Sequence, residues 1–222
     1  MPQSTQPDSN GLMHIRAVIF DYGEVLCHPP TPEAIGRMAS VFQVSPKDFP
    51  ELYMRNRGLY DLGDLTADAY WMKLAHDAGV KIGGNQVGTL SAWDVEMWST
   101  INVEMMKWAK DLRSAGIKTA ILSNMPEDMV IHVRKNFQWL SDFDCHVFSS
   151  EIGVIKPGAG IYQHCLECLK VHPSQALFID DREANVRGAR ELGIHGIQFQ
   201  SGTQLSRELR AIGFPIELVS EL

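Results

Sequence analysis

Residues 17–23 read Ala17-Val18-Ile19-Phe20-Asp21-Tyr22-Gly23, four apolar residues in succession that stop at a carboxylate and soon meet a glycine. An apolar run without polar alternation suits a strand covered on both faces, the environment of a parallel sheet. The pattern recurs twice: Thr119-Ala120-Ile121-Leu122 runs into Ser123-Asn124, and Ala176-Leu177-Phe178-Ile179 runs into Asp180-Asp181. Further strands are expected at Cys145–Phe148 and Ile194–Phe199. Helical patterns separate the strands at Val103–Ala115, Glu127–Asn136, Gly158–Val171 and Glu183–Leu192, and Gly116 and Gly193 follow two of them as stop signals. Strand then helix, repeated, predicts a doubly wound α/β fold around a parallel sheet.

Between Cys27 and about Ile101 the alternation stops. His28-Pro29-Pro30-Thr31-Pro32 punctuates the exit from the first strand, and the residues beyond it read as helices at Glu33–Phe42, Pro46–Arg57, Thr66–Ala78 and Gly83–Trp98. Thr66 suits an N-cap. A helical insertion of roughly 70 residues inside an α/β domain reads as a cap or lid. The expected organisation is a mobile tail over 1–13, an α/β core made of 14–27 and 101–222, and a helical cap over 28–100. The polar opening Met1–Asn10 has the character of neither a signal peptide nor a transit peptide.

With 222 residues, 45% hydrophobic and 21% charged, the chain has globular composition and can bury a proper core. Its 27 acidic and 20 basic side chains leave a net charge of −7, which argues against nucleic acid or an anionic membrane as partner. No apolar run reaches membrane-spanning length. A small phosphorylated molecule stays open, because a few local cations or a metal can handle one phosphate. Four cysteines, Cys27, Cys145, Cys165 and Cys168, are too few for a disulfide scaffold, so thiols in a reducing cytoplasm are expected. Cys165 and Cys168, with His164 and His172 nearby, invite a zinc reading. They lie in a helical pattern with no second ligand pair at matching spacing, and buried or half-buried thiols are the expectation.

In open parallel sheets ligands bind at the carboxyl ends of the strands. Asp21, Ser123 and Asp180-Asp181 should therefore share one edge, joined by Lys156 in the segment Gly153-Val154-Ile155-Lys156-Pro157. Carboxylates crowded together repel unless a cation sits among them, and oxygen ligands without His or Cys favour magnesium over zinc. A hydroxyl and an ammonium beside such a metal are what a phosphate group requires.

Four segments in this order carry a resemblance: Val18-Ile19-Phe20-Asp21-Tyr22-Gly23-Glu24-Val25-Leu26, Leu122-Ser123-Asn124, Lys156-Pro157, and Phe178-Ile179-Asp180-Asp181 with Asn185. Over nearly its whole length the chain resembles the haloacid dehalogenase superfamily. It is similar in particular to the branch that includes glucose-1-phosphate phosphatases and the amino-terminal phosphatase domains of epoxide hydrolases. The resemblance implies a Rossmann-like three-layer sandwich with an inserted α-helical cap of type 1. It implies a magnesium-dependent phosphatase acting on a small phosphate ester, with a sugar phosphate as one candidate. Asp21 would be the nucleophile that forms an aspartyl-phosphate. Ser123, Asn124 and Tyr22 would contact the phosphate, and Lys156 would stabilise nucleophile and transferring group. Mg2+ would be bound by Asp21, the Gly23 carbonyl and Asp181, with Asn185 behind them and Asp180 either a further ligand or in that outer layer. A cytoplasmic monomer or homodimer, with neither nucleic acid nor membrane as partner, completes the expectation.

One position departs from the family pattern. Phosphatases of this superfamily usually carry a second Asp two residues after the nucleophile as general acid and base, and here that residue is Gly23. Glu24 is a candidate substitute, although a loop carboxylate facing solvent is an equally good reading. A 2-haloacid dehalogenase, which attacks with Asp but uses no metal, is the alternative enzyme, and Asp180-Asp181 counts against it. A phosphonate hydrolase would want a lysine in the early cap, and residues 29–45 contain none. A catalytically silent binding protein of the same fold has Gly23 as its only support. Arg55, Arg57 and His28 could line the cleft, but a solvated helix face and a loop are the favoured readings. Trp71, Trp93, Trp98 and Trp108 are expected to pack rather than to form a sugar platform.

Overall fold

A computed structural model describes residues 14–218, and the tail expected over 1–13 lies outside them. Five strands form one parallel sheet: β1 Ala17–Phe20, β2 Lys118–Ser123, β3 Cys145–Phe148, β4 Ala176–Asp180 and β5 His195–Gln198. Their order is β3-β2-β1-β4-β5, the expected Rossmann-like arrangement. The first strand is central, so the chain leaves it in one direction for β2 and later returns on its other side for β4. That is the point of an open sheet where a crevice forms. Phe20 pairs with Ile121 of β2 and Ile179 of β4, and this register brings Asp21, Ser123 and Asp180 to one edge.

The unalternated apolar runs are explained by what covers them. Val18 and Phe20 face one way, into a cluster with Trp108, Leu112, Val133 and Leu205. Those residues come from three helices, α6 Val103–Ser114, α7 Glu127–Asn136 and α11 Gly202–Ala211. Ala17 and Ile19 face the other way, against Ile161, Tyr162, Cys165 and Ala189. Those belong to α9 Ala159–Leu169 and α10 Glu183–Glu191. Helix α10 packs directly on the Lys156-Pro157 segment: a Cβ on Gly188 would lie 2.8 Å from the Pro157 carbonyl oxygen, so only glycine permits the approach.

Between β1 and α6 stand five helices, α1 Pro32–Val41, α2 Phe49–Met54, α3 Arg57–Leu62, α4 Ala67–Asp77 and α5 Gly84–Met97. They enclose an apolar cluster of their own, built on Met38, Phe42, Tyr60, Trp71, Leu74 and Leu90. Thr66 accepts from the Ala69 N–H at 3.2 Å as the expected cap of α4. The chain enters and leaves this helical cap side by side: Cys27 pairs with Ile101, the His28 N–H donates to Thr100 O at 2.7 Å, and the Asn102 N–H donates to Leu26 O at 2.9 Å. The cap also reaches the core directly. Tyr60 Oη donates to Asp128 Oδ1 at 2.6 Å, and the Ser149 hydroxyl donates to the Asp61 carbonyl.

Three expectations need correction. The helix expected over Pro46–Arg57 is two: α2 ends at Met54, Arg55 and Asn56 form the break, and α3 begins at Arg57. The short helix α8 Ser149–Ile152 and helix α11 were not expected, although Ser201 followed by Leu205 and Leu209 at helical spacing marks the second. Cys145 of β3 and Cys168 of α9 form a disulfide, in place of two of the four expected thiols, while Cys27 and Cys165 stay buried and free. The cause is packing: α9 lies against β3 and brings the two Cα atoms to 6.2 Å across 23 residues of sequence. Because Cys168 is bonded to Cys145, the Cys-x-x-Cys pair is unavailable to zinc.

Candidate active site

The site begins where β1 ends. The chain leaves the sheet in a wide turn over Tyr22–Leu26, closed by the Cys27 N–H donating to Tyr22 O at 3.0 Å, and the Tyr22 N–H donates to Asp21 Oδ1 at 2.7 Å. Lys156 Nζ lies 2.8 Å from the same Oδ1 and 2.7 Å from Asp180 Oδ2, with its side chain only 1% exposed. One buried ammonium therefore bridges the ends of β1 and β4. Asn124 fixes the segment that carries it: its Nδ2 donates to Lys156 O at 3.0 Å and its Oδ1 accepts from Lys156 N at 2.8 Å. The Asn124 side chain thus positions Lys156, and Asn124 also lines the cavity described below.

Asp180 is bonded on every side. The Arg182 N–H donates to its Oδ1 at 2.8 Å, and Asn185 Nδ2 sits 3.0 Å from both of its oxygens. Asn185 is held in turn by Tyr162, which donates to its carbonyl at 2.8 Å. Asp21, Asp180 and Asp181 each present a carboxylate oxygen within 4.8 Å of the others. Three carboxylates against one ammonium leave an excess of two negative charges, and burial makes that costly. Burial pushes the Asp21 carboxyl up to about 7; Lys156 opposes the rise, and Asp180 and Asp181 add to it. Burial, then Asp180 and Glu24, pushes Asp181 up to about 6. For Lys156 burial alone would lower the value, but Asp180 and Asp21 outweigh it and hold the ammonium charged. A divalent cation with a preference for oxygen ligands fits this donor set and its charge. Since both Asp180 oxygens are taken, Asp21 and Asp181 carry the carboxylate oxygens best placed to hold it.

A cavity of about 90 Å3 opens above these groups between core and cap. Ser123, Lys156, Asp181 and Asn185 line it from the core, and Tyr53, Arg57, Asp61 and Trp98 from the cap. Tyr22 also lines it, but its hydroxyl donates to Trp98 O at 2.6 Å and so ties the end of the cap to the core. Gly23 lies in extended conformation at φ −64° and ψ 131°, which any residue adopts. A Cβ there would touch only Trp98, at 3.8 Å. Glu24 stands exposed at the cavity rim with a left-handed φ of 57°.

The cap residues are where the sequence misleads most. Arg57 is 7% exposed, against the expectation of a solvated helix face. Its Nε donates to Asp61 Oδ1 at 2.8 Å and its Nη1 to Asp94 Oδ2 at 3.0 Å and to the Tyr53 hydroxyl. The break at Arg55 and Asn56 separates α3 from α2, and Arg57, the first residue of α3, is bonded into the cap interior. Arg55 and His28 are exposed, as expected. Trp71 and Trp108 are buried packing residues. Trp93 is half-buried beneath Arg37, and Trp98 reaches the cavity. Asp61, buried and facing the same cavity, was missed, and its only sequence signal is the four-residue spacing from Arg57 on one helix face.

A parallel α/β core with an inserted helical cap carries, at the ends of its strands, a lysine that bridges two carboxylates. The family model for haloacid dehalogenase-like hydrolases matches residues 15–193, and the chain belongs to that family. Among curated proteins it is 34% identical over 216 residues to acyl-CoA dehydrogenase family member 10 of Mus musculus, covering 91% of this chain and 20% of that one. It is 25% identical to bifunctional epoxide hydrolase 2 of Sus scrofa, with 90% and 39% covered, in line with the expected branch. The chain thus spans between a fifth and two fifths of these longer relatives. Against the D-ribitol-5-phosphate phosphatase of Bacteroides thetaiotaomicron it is 22% identical, with 89% of this chain and 98% of that one covered. A family enzyme of Bacteroides thetaiotaomicron, solved in complex with magnesium and inorganic phosphate, superposes with a TM-score of 0.68 at 22% identity, covering 85% of this chain and 96% of that one. The L-2-haloacid dehalogenase of Xanthobacter autotrophicus with chloropropionic acid covalently bound superposes with a TM-score of 0.63 at 19% identity, covering 93% and 90%. These two structures share the fold. No helix among the described residues is long and apolar enough to cross a membrane.

Proposed function

We propose that the chain is a magnesium-dependent phosphatase that hydrolyses small phosphate esters through an aspartyl-phosphate on Asp21. The observation that carries this reading is the bridge of Lys156 between Asp21 and Asp180 beside Asp181, at the floor of a small cavity. Asp21 Oδ1 is held by Lys156 and by the Tyr22 N–H, which aims the carboxylate at the cavity. Lys156 offsets charge on the transferring phosphoryl group, and Ser123 contributes a hydroxyl to its oxygens. Asp21, Asp181 and the Gly23 carbonyl would hold Mg2+, with Asp180 and Asn185 fixing the residues around it. The ion would supply positive charge to the phosphoryl oxygens. The phosphatase relative whose whole length the chain matches supports a sugar or polyol phosphate as the substrate class.

A panel of phosphomonoesters assayed with Mg2+ and with a chelator tests the reading. Hydrolysis that needs Mg2+ is expected. Metal-independent halide release from 2-chloropropionate would instead make the protein a dehalogenase, and turnover of neither class would make it a binding protein.

Asp181→Ala should raise the Mg2+ concentration needed for half-maximal activity by about tenfold or more, because it removes one of few protein ligands. A magnesium titration identical to that of the parent protein would take Asp181 out of the metal site.

A further inference from the structure

Four carboxyl groups line the cavity: Asp21, Glu24, Asp61 and Asp181. In the phosphatase reading Asp21 attacks and Asp181 holds the cation, while Gly23 leaves the leaving group without a proton donor in the usual place. Of the remaining two, Glu24 is exposed at the rim, whereas Asp61 is buried in the cap wall. Asp61 is also clamped. Its Oδ1 accepts from Arg57 Nε at 2.8 Å, and its backbone carbonyl accepts from the Ser149 hydroxyl of the core. Arg57 cannot swing away, because Asp94 and Tyr53 hold its other end. One guanidinium is thus shared by two buried carboxylates, Asp61 and Asp94, and the group is one proton short of neutrality.

We propose that Asp61 is the general acid of the reaction, a catalytic residue supplied by the cap. This rests on the phosphatase reading above. As Asp21 bonds to phosphorus, the bond from phosphorus to the leaving oxygen breaks, and that oxygen takes the bonding pair and the Asp61 proton to depart as an alcohol. Asp61 is left as a carboxylate facing Arg57. In the second step a water attacks the aspartyl-phosphate, its proton returns to Asp61, and the phosphorus–Asp21 bond breaks.

The surroundings suit a proton that is exchanged near neutral pH. Burial pushes the Asp61 carboxyl up to about 6, opposed by Arg57 on its own helix and by Arg182 of the core, and assisted by Asp94 of α5. Tyr53 of α2, Tyr60 of α3, Tyr70 of α4 and Asp128 of α7 are the other titratable groups around this box.

The test compares two leaving groups. Asp61→Asn keeps a carbonyl for Arg57 Nε and so preserves the box. Its kcat should fall by about 10²–10⁴-fold on the alkyl ester that the parent protein turns over fastest, and by less than about threefold on 2,4-dinitrophenyl phosphate, whose leaving group needs no proton. Adding Gly23→Asp to Asp61→Asn should restore alkyl-ester kcat by about tenfold or more, since that backbone accepts a side chain and a core carboxyl can supply the proton. A merely structural Asp61 would lower both esters alike and would not be repaired from the core. Equal losses on the two esters, no loss on the alkyl ester, or a double variant without recovery would each overturn the proposal. A parent protein inactive on dinitrophenyl phosphate would overturn the phosphatase reading itself, so the two failures are told apart.

Discussion

Asp21→Asn is expected to lower phosphomonoester turnover by on the order of 10⁴–10⁶-fold, the scale of losing a covalent nucleophile, while the protein stays folded. An amide is a poor nucleophile and a weaker metal ligand, but its oxygen still accepts from Lys156 and from the Tyr22 N–H, so the end of β1 keeps its shape. The substitution should even help the metal-free fold at high pH. The folded-state value of about 7 lies above the ordinary 3.8, so this group favours folding below about pH 4, and that contribution is lost as pH rises through 7. In chelator, the melting temperature of the parent protein should therefore drop more between pH 5 and pH 8 than that of Asp21→Asn. Added Mg2+ should recover more stability at pH 8 than at pH 5. Full activity in a correctly folded Asp21→Asn protein would remove Asp21 from the chemistry. Parallel pH profiles of melting in the two proteins would argue against charge crowding at the site.

Lys156→Ala should have the opposite effect on stability and a large effect on rate. It takes the ammonium from between Asp21 and Asp180 and leaves three carboxylates within 4.8 Å of one another without a counter-charge. Removing one partner of a buried ion pair costs about 3–5 kcal/mol. For a chain of this size that is a melting-temperature loss of roughly 10 °C. Turnover should fall by about 10²–10³-fold, the scale of losing one electrostatic contact to the transferring group. Lys156→Arg should restore little, because a planar guanidinium does not fit a slot shaped for a point charge. Saturating Mg2+ should return part of the stability and little of the lost rate. A melting-temperature change below about 2 °C in Lys156→Ala would mean that Lys156 is not the counter-charge of the site.

Three parts of the site were legible because each sits where an apolar run stops. Asp21, Ser123 and Asp180 end strands that are buried on both faces, and a strand of that kind announces itself by lacking alternation. Since parallel strands put their carboxyl ends on one edge, placing the strands was enough to collect the carboxylates. The roles within the cluster were less legible. Asn124 reads as a phosphate contact and Asp180 as a metal residue of the inner or outer layer, and the structure adds bonds that neither reading contains, from Asn124 to the Lys156 backbone and from Asp180 to the Lys156 ammonium and Asn185. Hydrogen-bond partners that lie 24 to 32 residues away are set by packing and leave no periodic trace.

What the sequence determined by itself is the parallel sheet, the helical insertion after β1 and the aspartate at the head of the site, all of which derive from local periodicity and strand ends. What only the tertiary structure decided is the cap wall. Asp61 and Arg57 face the cavity because α2 stops at Met54 and α3 restarts at Arg57, a break inside a stretch that reads as one helix. The Cys145–Cys168 disulfide likewise depends on α9 lying against β3. In both cases the deciding interaction joins elements that are remote in sequence, and the direction in which a side chain faces is set by the element it packs against.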